Sequence, residues 1–318
     1  MLVVLSLGLS LVMVGALLPI LRRAQFMDVP NHRSSHAAPT PRGGGLAVMA
    51  SVPLALLFED GYDAWFLVAV AVGAALVGLL DDLRSLPSSV RLVAQVGAAL
   101  AVCAWLVQGG LLDEWWRFAV AVAVLVGFVN AFNFMDGVNG ISALTAAVIG
   151  CFWAVIGVRQ ELDAIATLGL VLMGAALGFL PWNAPRARVF LGDVGSYGIG
   201  LLIGGLSVVA WTQGVHWLVA VAPLVIYGVD TGWVLVKRAR GGRPLMEAHR
   251  EHVYQRLVDG GWSHLSAAAL CALSVALVCT TAWLTWQRAP VVGFTAVAAL
   301  TAAYMASPRL VTRTRWSP

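Results

Sequence analysis

The chain has 318 residues, 60% of them hydrophobic and only 11% charged, with a mean hydropathy of +0.84. That balance excludes an ordinary soluble domain, in which about a quarter of the residues are charged, and indicates a polytopic membrane protein. The net charge of +4 is distributed as a topology signal, not as a nucleic-acid patch.

Apolar runs of spanning length occur at about Leu2 to Leu21, Leu46 to Phe58, Ala64 to Leu80, Leu92 to Gly109, Phe118 to Met135 and Ile141 to Val158. Others follow at Ala164 to Leu180, Tyr197 to Thr212, Val215 to Val236, Leu265 to Trp286 and Val291 to Ala306. The expectation is an all-α chain of about ten to eleven transmembrane helices, the second short for a bilayer, forming one integral membrane domain over residues 1–318. With eleven spans, seventeen of the twenty Lys and Arg lie at one set of helix ends. The positive-inside rule then puts the N-terminus outside, and the C-terminus and the motif-bearing loops on the cytoplasmic side. The first span lacks a basic n-region and a small-residue cleavage site, so it reads as a retained helix. Cys103, Cys151, Cys271 and Cys279 fall inside spans, as packing residues.

The first cytoplasmic loop runs from Asp28 through two histidines and Arg33 to Pro39-Thr40-Pro41-Arg42-Gly43-Gly44-Gly45. Its Pro and Gly density excludes a helix, and three consecutive glycines let backbone amides approach an anion. A loop holding anionic lipid headgroups is the plainer alternative. The third span ends in Asp81-Asp82, two carboxylates opposed by the helix dipole and by each other, which call for a metal, a proton or Arg91. The fifth span carries Asn130 and Asn133, and Asp136 falls where its helix should end, followed at once by Gly137, Asn139 and Gly140. Amides and a carboxylate at this depth cost several kcal/mol unless partnered, which marks a functional site. Further on, Phe190-Leu191-Gly192-Asp193-Val194-Gly195-Ser196 opens the eighth span, where helix capping is the structural alternative for Asp193. Asp230, inside the ninth span, reads as a structural partner to another helix. The longest cytoplasmic loop holds His249, Arg250 and His252, too sparse for a zinc site; a surface amphipathic helix is the plain alternative.

Together, Pro-Thr-Pro-Arg-Gly-Gly-Gly, Asp81-Asp82 with Arg91, Asn-x-x-Asn-x-x-Asp-Gly-x-x-Gly, Phe-Leu-Gly-Asp-x-Gly-Ser and His-Arg-x-His-x-Tyr-Gln resemble the polyprenyl-phosphate N-acetylhexosamine-1-phosphate transferases. That superfamily, glycosyltransferase family 4, includes the translocase that makes lipid I. The resemblance implies transfer of N-acetylhexosamine-1-phosphate from a UDP-sugar to undecaprenyl phosphate in the bacterial inner membrane, releasing UMP. This would be the first membrane step of O-antigen or other surface-polysaccharide synthesis. It implies Mg2+, with Mn2+ as a substitute, held by Asp193 and Asn133, and Asp81, Asp82, Asp136 and Asp193 as catalytic carboxylates. Arg42, Arg91, Asn130, Asn139, His249, Arg250 and His252 would bind substrate. Many members have Lys where Arg91 stands, so this position carries charge and not acid/base work. The implied partners are undecaprenyl phosphate, a UDP-N-acetylhexosamine and the bilayer, with a homodimer left open and no nucleic acid.

Two other classes compete. An ion-coupled transporter would use Asp136, Asp193 and Asp230 in its path, but transporter sites lie near the midplane between repeated halves, and here the acids gather at one face with no internal repeat. A polyprenyl-diphosphate phosphatase would not need the nucleotide-handling loops.

Overall fold

Inside a bilayer a backbone N–H finds no water, so each long apolar run must satisfy its amides within itself and winds into a helix. The computed structural model describes residues 1–29, 38–59, 63–244 and 250–314, with side chains through residue 309. In chain order these form α1 (Leu2–Arg23), β1 (Met27–Asp28), β2 (Thr40–Pro41), α2 (Gly45–Leu56), α3 (Trp65–Arg84), α4 (Ser88–Gln108) and α5 (Trp115–Met135). Then come α6 (Ile141–Arg159), α7 (Asp163–Asn183), α8 (Gly192–Thr212), α9 (Trp217–Arg240), α10 (Val253–Asp259), α11 (His264–Thr285) and α12 (Pro290–Thr314).

Among the described residues ten helices are long and apolar enough to cross a membrane. The second expected span is the exception. It is α2, only 12 residues and so about 18 Å long, against a hydrocarbon thickness of about 30 Å. The Pro- and Gly-rich loop before it is not helical: Met27 pairs with Pro41 and Asp28 with Thr40 in a short antiparallel ladder.

The bundle is organised around α8, whose apolar window is 94% buried. Small residues make this enclosure possible, because without a Cβ two backbones can approach closely. A Cβ on Gly45 would stand 2.3 Å from the Gly195 Cα, and one on Gly78 would stand 2.2 Å from the Asp193 carbonyl oxygen. The same device joins α1 to α7, where Gly174 meets Ser6 and Gly178 meets the Leu7 carbonyl.

The helices alternate in direction, so the ends of α3, α5, α7 and α9 lie with the starts of α2, α4, α6, α8 and α11. At the other end Trp65, Trp115, Trp116, Trp211, Trp217 and Trp286 mark helix termini, as expected of an aromatic belt at a membrane interface. There the Arg117 guanidinium lies 4.6 Å from the Trp211 ring centroid. The charged motifs gather at the first end.

Candidate active site

The turn before α8 is built by backbone chemistry. The Gly44 and Gly45 N–H groups donate to the carbonyls of Phe190 (2.9 Å) and Leu191 (2.8 Å), and the Phe190 N–H donates to Pro41 (2.8 Å). Two of the three glycine amides expected to approach an anion are therefore spent on this turn. The glycine run clamps α2 and β2 against α8. Gly192 follows with φ +76°, a left-handed conformation open to glycine, and a Cβ there would lie 2.7 Å from Asp82 Oδ2. This local path delivers Asp193 into the first turn of α8. Leu191 occupies the N-cap and no side chain caps the helix, so capping does not account for Asp193.

Asp193 Oδ1 accepts from Asn133 Nδ2 at 2.7 Å, and the same Nδ2 donates to Ser196 Oγ at 2.9 Å. With both amide hydrogens engaged, Oδ1 is the atom that Asn133 can offer a cation. Asp82 Oδ2 accepts the Val194 N–H at 3.1 Å, while the Arg42 guanidinium donates to the Asp82 carbonyl and stands 3.8 Å from Asp82 Oδ1. Arg42 itself rests on the Phe26 ring, 5.1 Å from its centroid. Asp136, just past the end of α5, accepts from Ser142 Oγ at 2.6 Å. Burial pushes its carboxyl up to about 6, the Ser142 hydrogen bond pulls the other way, and the nearby Asp82 charge adds to the rise.

These residues line one cavity of about 290 Å³, which also receives Asp28, Asn139, Asn183, Gln255 and His264. Four carboxylates face a single guanidinium across its lining, an excess of negative charge that favours cations. Among the described residues no three His, Cys, Asp or Glu side chains converge as a ready-made metal cage. The donors on offer are hard carboxylate and amide oxygens.

Other expected site residues lie elsewhere. Asp81 does not line the cavity but stands directly beside Asp193, its carboxylate accepting from the Leu86 N–H (2.8 Å), Arg91 Nη1 (3.2 Å) and the Tyr197 hydroxyl (2.9 Å). Arg91 accordingly neutralises Asp81 and donates to Ser88 at 3.1 Å; it does not line the cavity. Asn130 is tied to Gln95 of α4 (2.6 Å) and to the Val126 carbonyl (2.8 Å), one turn away from the site. Arg250 pairs with Asp259 at 2.6 Å. His249 lies outside the described residues.

His252 is not on the face of a surface helix. It is the buried N-cap of α10, with Nδ1 3.2 Å from Asp230 Oδ1, and Asp230 Oδ2 accepts the Val253 N–H at 3.0 Å. Asp230 is thus the structural partner the sequence suggested. This pair seats α10 so that the Tyr254 hydroxyl donates to the Phe134 carbonyl (3.1 Å), directly over Gly137, and Gln255 reaches the cavity. The Tyr254 phenol is held neutral, since burial drives it far above its usual range. Gln255 entered the sequence reading only as the last letter of His-Arg-x-His-x-Tyr-Gln, with no role assigned, and His264 was not singled out; its one signal was its position in a polar loop flanking a span. His264 opens α11 and accepts the Asn139 N–H on Nδ1 at 3.4 Å.

A model of glycosyl transferase family 4 matches residues 64–211. The chain is 30% identical over 286 residues to the probable undecaprenyl-phosphate N-acetylglucosaminyl 1-phosphate transferase of Bacillus subtilis (strain 168), spanning 82% of this chain and 79% of that one. It is 32% identical to the decaprenyl-phosphate N-acetylglucosaminephosphotransferase of Mycolicibacterium smegmatis, over 78% of this chain and 72% of the relative. It is also 32% identical to a phospho-N-acetylmuramoyl-pentapeptide-transferase of Synechococcus, over 86% and 88%. Likeness of this extent, with the matched segment supplying Asp82, Asn133, Asp136 and Asp193 to a single cavity, makes the chain a member of glycosyl transferase family 4, among the polyprenyl-phosphate hexosamine phosphotransferases, which transfer a sugar-1-phosphate to a membrane lipid phosphate.

Proposed function

We propose that the protein transfers N-acetylhexosamine-1-phosphate from a UDP-sugar to undecaprenyl phosphate, releasing UMP, as the first membrane step of O-antigen or another surface polysaccharide. The observation that carries this reading is the acid cavity at one end of the bundle, which Asp82, Asp136 and Asp193 line together with Asn133 and Arg42. In a bacterial inner membrane this end would face the cytoplasm, where UDP-sugars are made.

Two anionic substrates would meet in a cavity that is itself acidic, so a divalent cation fits the donor set. Mg2+ commonly uses one or two carboxylates, with waters and substrate phosphates completing its sphere. Asp193 and Asn133 Oδ1 would hold it, and Mn2+ would serve in its place. Bound there, the ion supplies charge neutralisation on the diphosphate.

The chain's own residues align the reactants. An oxygen of the lipid phosphate forms a bond to the sugar-bearing phosphorus, the bridging P–O bond to the uridylyl group breaks, and UMP leaves. The lipid phosphate is already a nucleophile once ionised, and orientation is then its main requirement. Arg42, braced by Phe26 and by the Asp82 carbonyl, presents a fixed cation to phosphate oxygens. Asp82 is anchored through the Val194 N–H, so the ends of α3 and α8 keep their spacing. Asp136 sits where a carboxylate that titrates near neutrality can take a proton from the entering phosphate.

The Synechococcus relative's name supports a second donor, UDP-N-acetylmuramoyl-pentapeptide. The deciding assay incubates purified protein and undecaprenyl phosphate with radiolabelled UDP-GlcNAc, 6-deoxy-N-acetylhexosamine analogues or the muramoyl-pentapeptide donor. Label in butanol-extractable lipid with an N-acetylhexosamine, abolished by EDTA and restored by Mg2+, is the expected result. Label from the pentapeptide donor alone would replace the sugar assignment, and undiminished activity in EDTA would remove the metal.

A further inference from the structure

Away from the acid cavity, α9 and α12 leave a groove between them. Both helices run toward the site end, and neither meets the other closely along this face. Two cavities of about 370 and 400 Å³ lie in the groove and share Val229, Ala302 and Met305, so they form one channel. On α9 its wall is Val221, Val225, Val229, Trp233 and Lys237, a stripe of residues four apart that is apolar for four positions and ends in a cation. On α12 the matching stripe is Phe294, Ala298, Ala302, Met305 and Arg309, apolar until its last member, again a cation, and the Thr301 hydroxyl beside it is spent on the Val297 carbonyl at 2.8 Å. Lys237 and Arg309 therefore mark the same level, about 22 to 24 Å along each helix from the far end of the stripe. There the Trp217 and Phe294 rings, 6.4 Å apart, close the channel. Arg256 of α10 adds a third cation at the polar end.

The two carboxylates at that end are already compensated. Asp230 is held by His252 and the Val253 N–H, and Glu251 lies 2.8 Å from Lys237, 2.9 Å from Arg238 and 3.4 Å from Arg243. Among the described residues the polar end thus gathers more cations than carboxylates at the mouth of a long apolar trough. Its shape and charge match a lipid with a hydrocarbon tail and an anionic head.

We propose that this groove binds an anionic glycerophospholipid, with an acyl chain along α9 and α12 and its phosphate against Lys237, Arg256 and Arg309. The lipid is not the reacting polyprenyl phosphate, because α10 stands between the two places: Val253 and Arg256 face the groove and Gln255 faces the acid cavity. An occupied groove would brace α9, α10 and α12 together from the side opposite the site. Basic pockets between transmembrane helices hold anionic headgroups through the same charge pairing.

The test uses the full chain in detergent, incubated with equal amounts of phosphatidylglycerol and phosphatidylcholine and then washed, with retained lipid read by native mass spectrometry. The parent should retain phosphatidylglycerol preferentially, and Lys237→Gln, Arg256→Gln and Arg309→Gln should each reduce that preference by about fivefold. Ala302→Phe, which fills the trough without touching a charge, should lower retention of both lipids. Melting in pure detergent, measured for every variant, identifies any that fail to fold, and Lys237→Arg should keep the preference. Equal retention of the two lipids by the parent, or an unchanged preference in all three charge variants, would overturn the proposal. So would one-for-one displacement of phosphatidylglycerol by undecaprenyl phosphate, since the groove would then belong to the substrate.

Discussion

Asp193 is the residue on which the site depends most. Its carboxylate is fixed by Asn133, and its helix position needs no capping role. Asp193→Asn keeps the size and can still accept from Asn133, but removes the charge. Turnover should fall by at least about a hundredfold, on the scale of losing one preorganised electrostatic group, while the thermal midpoint in detergent stays within a few degrees. A midpoint that falls in step with activity would make the residue structural. Asp136 gives a pH test. Burial raises its carboxyl to about 6, so the folded state holds its proton longer than the unfolded chain does. By linkage, that contribution to stability is complete below the ordinary aspartate value of 3.8 and is lost as pH rises through about 6. If the ionised form takes up the proton, kcat/KM should climb through the same window. Ser142→Ala deletes a hydrogen bond that favours the carboxylate, so the ascending limb should move to higher pH. A limb that stays in place would separate Asp136 from the rate.

At the scale of elements, α10 is a short helix that could not be stable alone, and three tethers hold it: Asp230 to His252, Tyr254 to the Phe134 carbonyl, and the basic cluster around Glu251. Hydrogen bonds from Lys237 hold the Glu251 carboxyl at about 2, opposed by burial and aided by Arg238 and Arg243. A lowered carboxylate pKa stabilises the fold above the ordinary value of 4.5, and that contribution is lost as pH falls toward about 2. Glu251→Gln should therefore melt below the parent at pH 6, with the gap narrowing as the pH is lowered below about 4.5 and vanishing near 2. Melting curves across that range check it; a gap independent of pH would mean that the charge on Glu251 is not what tethers the loop. Sequence could not place these tethers. The resemblance made Arg91, Arg250 and His252 substrate ligands, since basic residues near an anionic site suit substrate or carboxylate equally well; only the structure shows the carboxylates beside them, Asp81 across α3 and α4, Asp259 at the end of α10 and Asp230 of α9. Gly44 and Gly45 misled for a related reason: an unhindered amide suits a backbone carbonyl as well as an anion.

For the molecule as a whole, helix number and the location of the acid cluster were legible because the bilayer punishes unpaired polarity so heavily that every intramembrane Asp or Asn announces a partner. Asn133 and Asp193 stood out on that ground, with Asp136 at the edge of its span, whereas Gln255 in the short α10 and His264 at the start of α11 lie where a polar residue carries no such cost. The short α2 was visible in its length, but not its fit against Gly195, which is a property of two distant segments. The direction of the bundle in the membrane rests on the basic residues. Arg84, Arg91, Arg186 and Arg188 share the site end, and Trp65, Trp115 and Trp217 stand at the other. The proposed orientation, read from the positive-inside rule, has the acid cavity on the cytoplasmic side. Single cysteines at Arg186 and Glu161, in a background with the four native cysteines replaced by serine or alanine, report on opposite ends of α6 and α7. A membrane-impermeant maleimide should label the Arg186→Cys variant only in inverted vesicles and the Glu161→Cys variant only in intact cells. The reverse pattern would put the cavity outside, beyond the reach of cytosolic UDP-sugars, and the proposed donor would have to be abandoned along with the orientation.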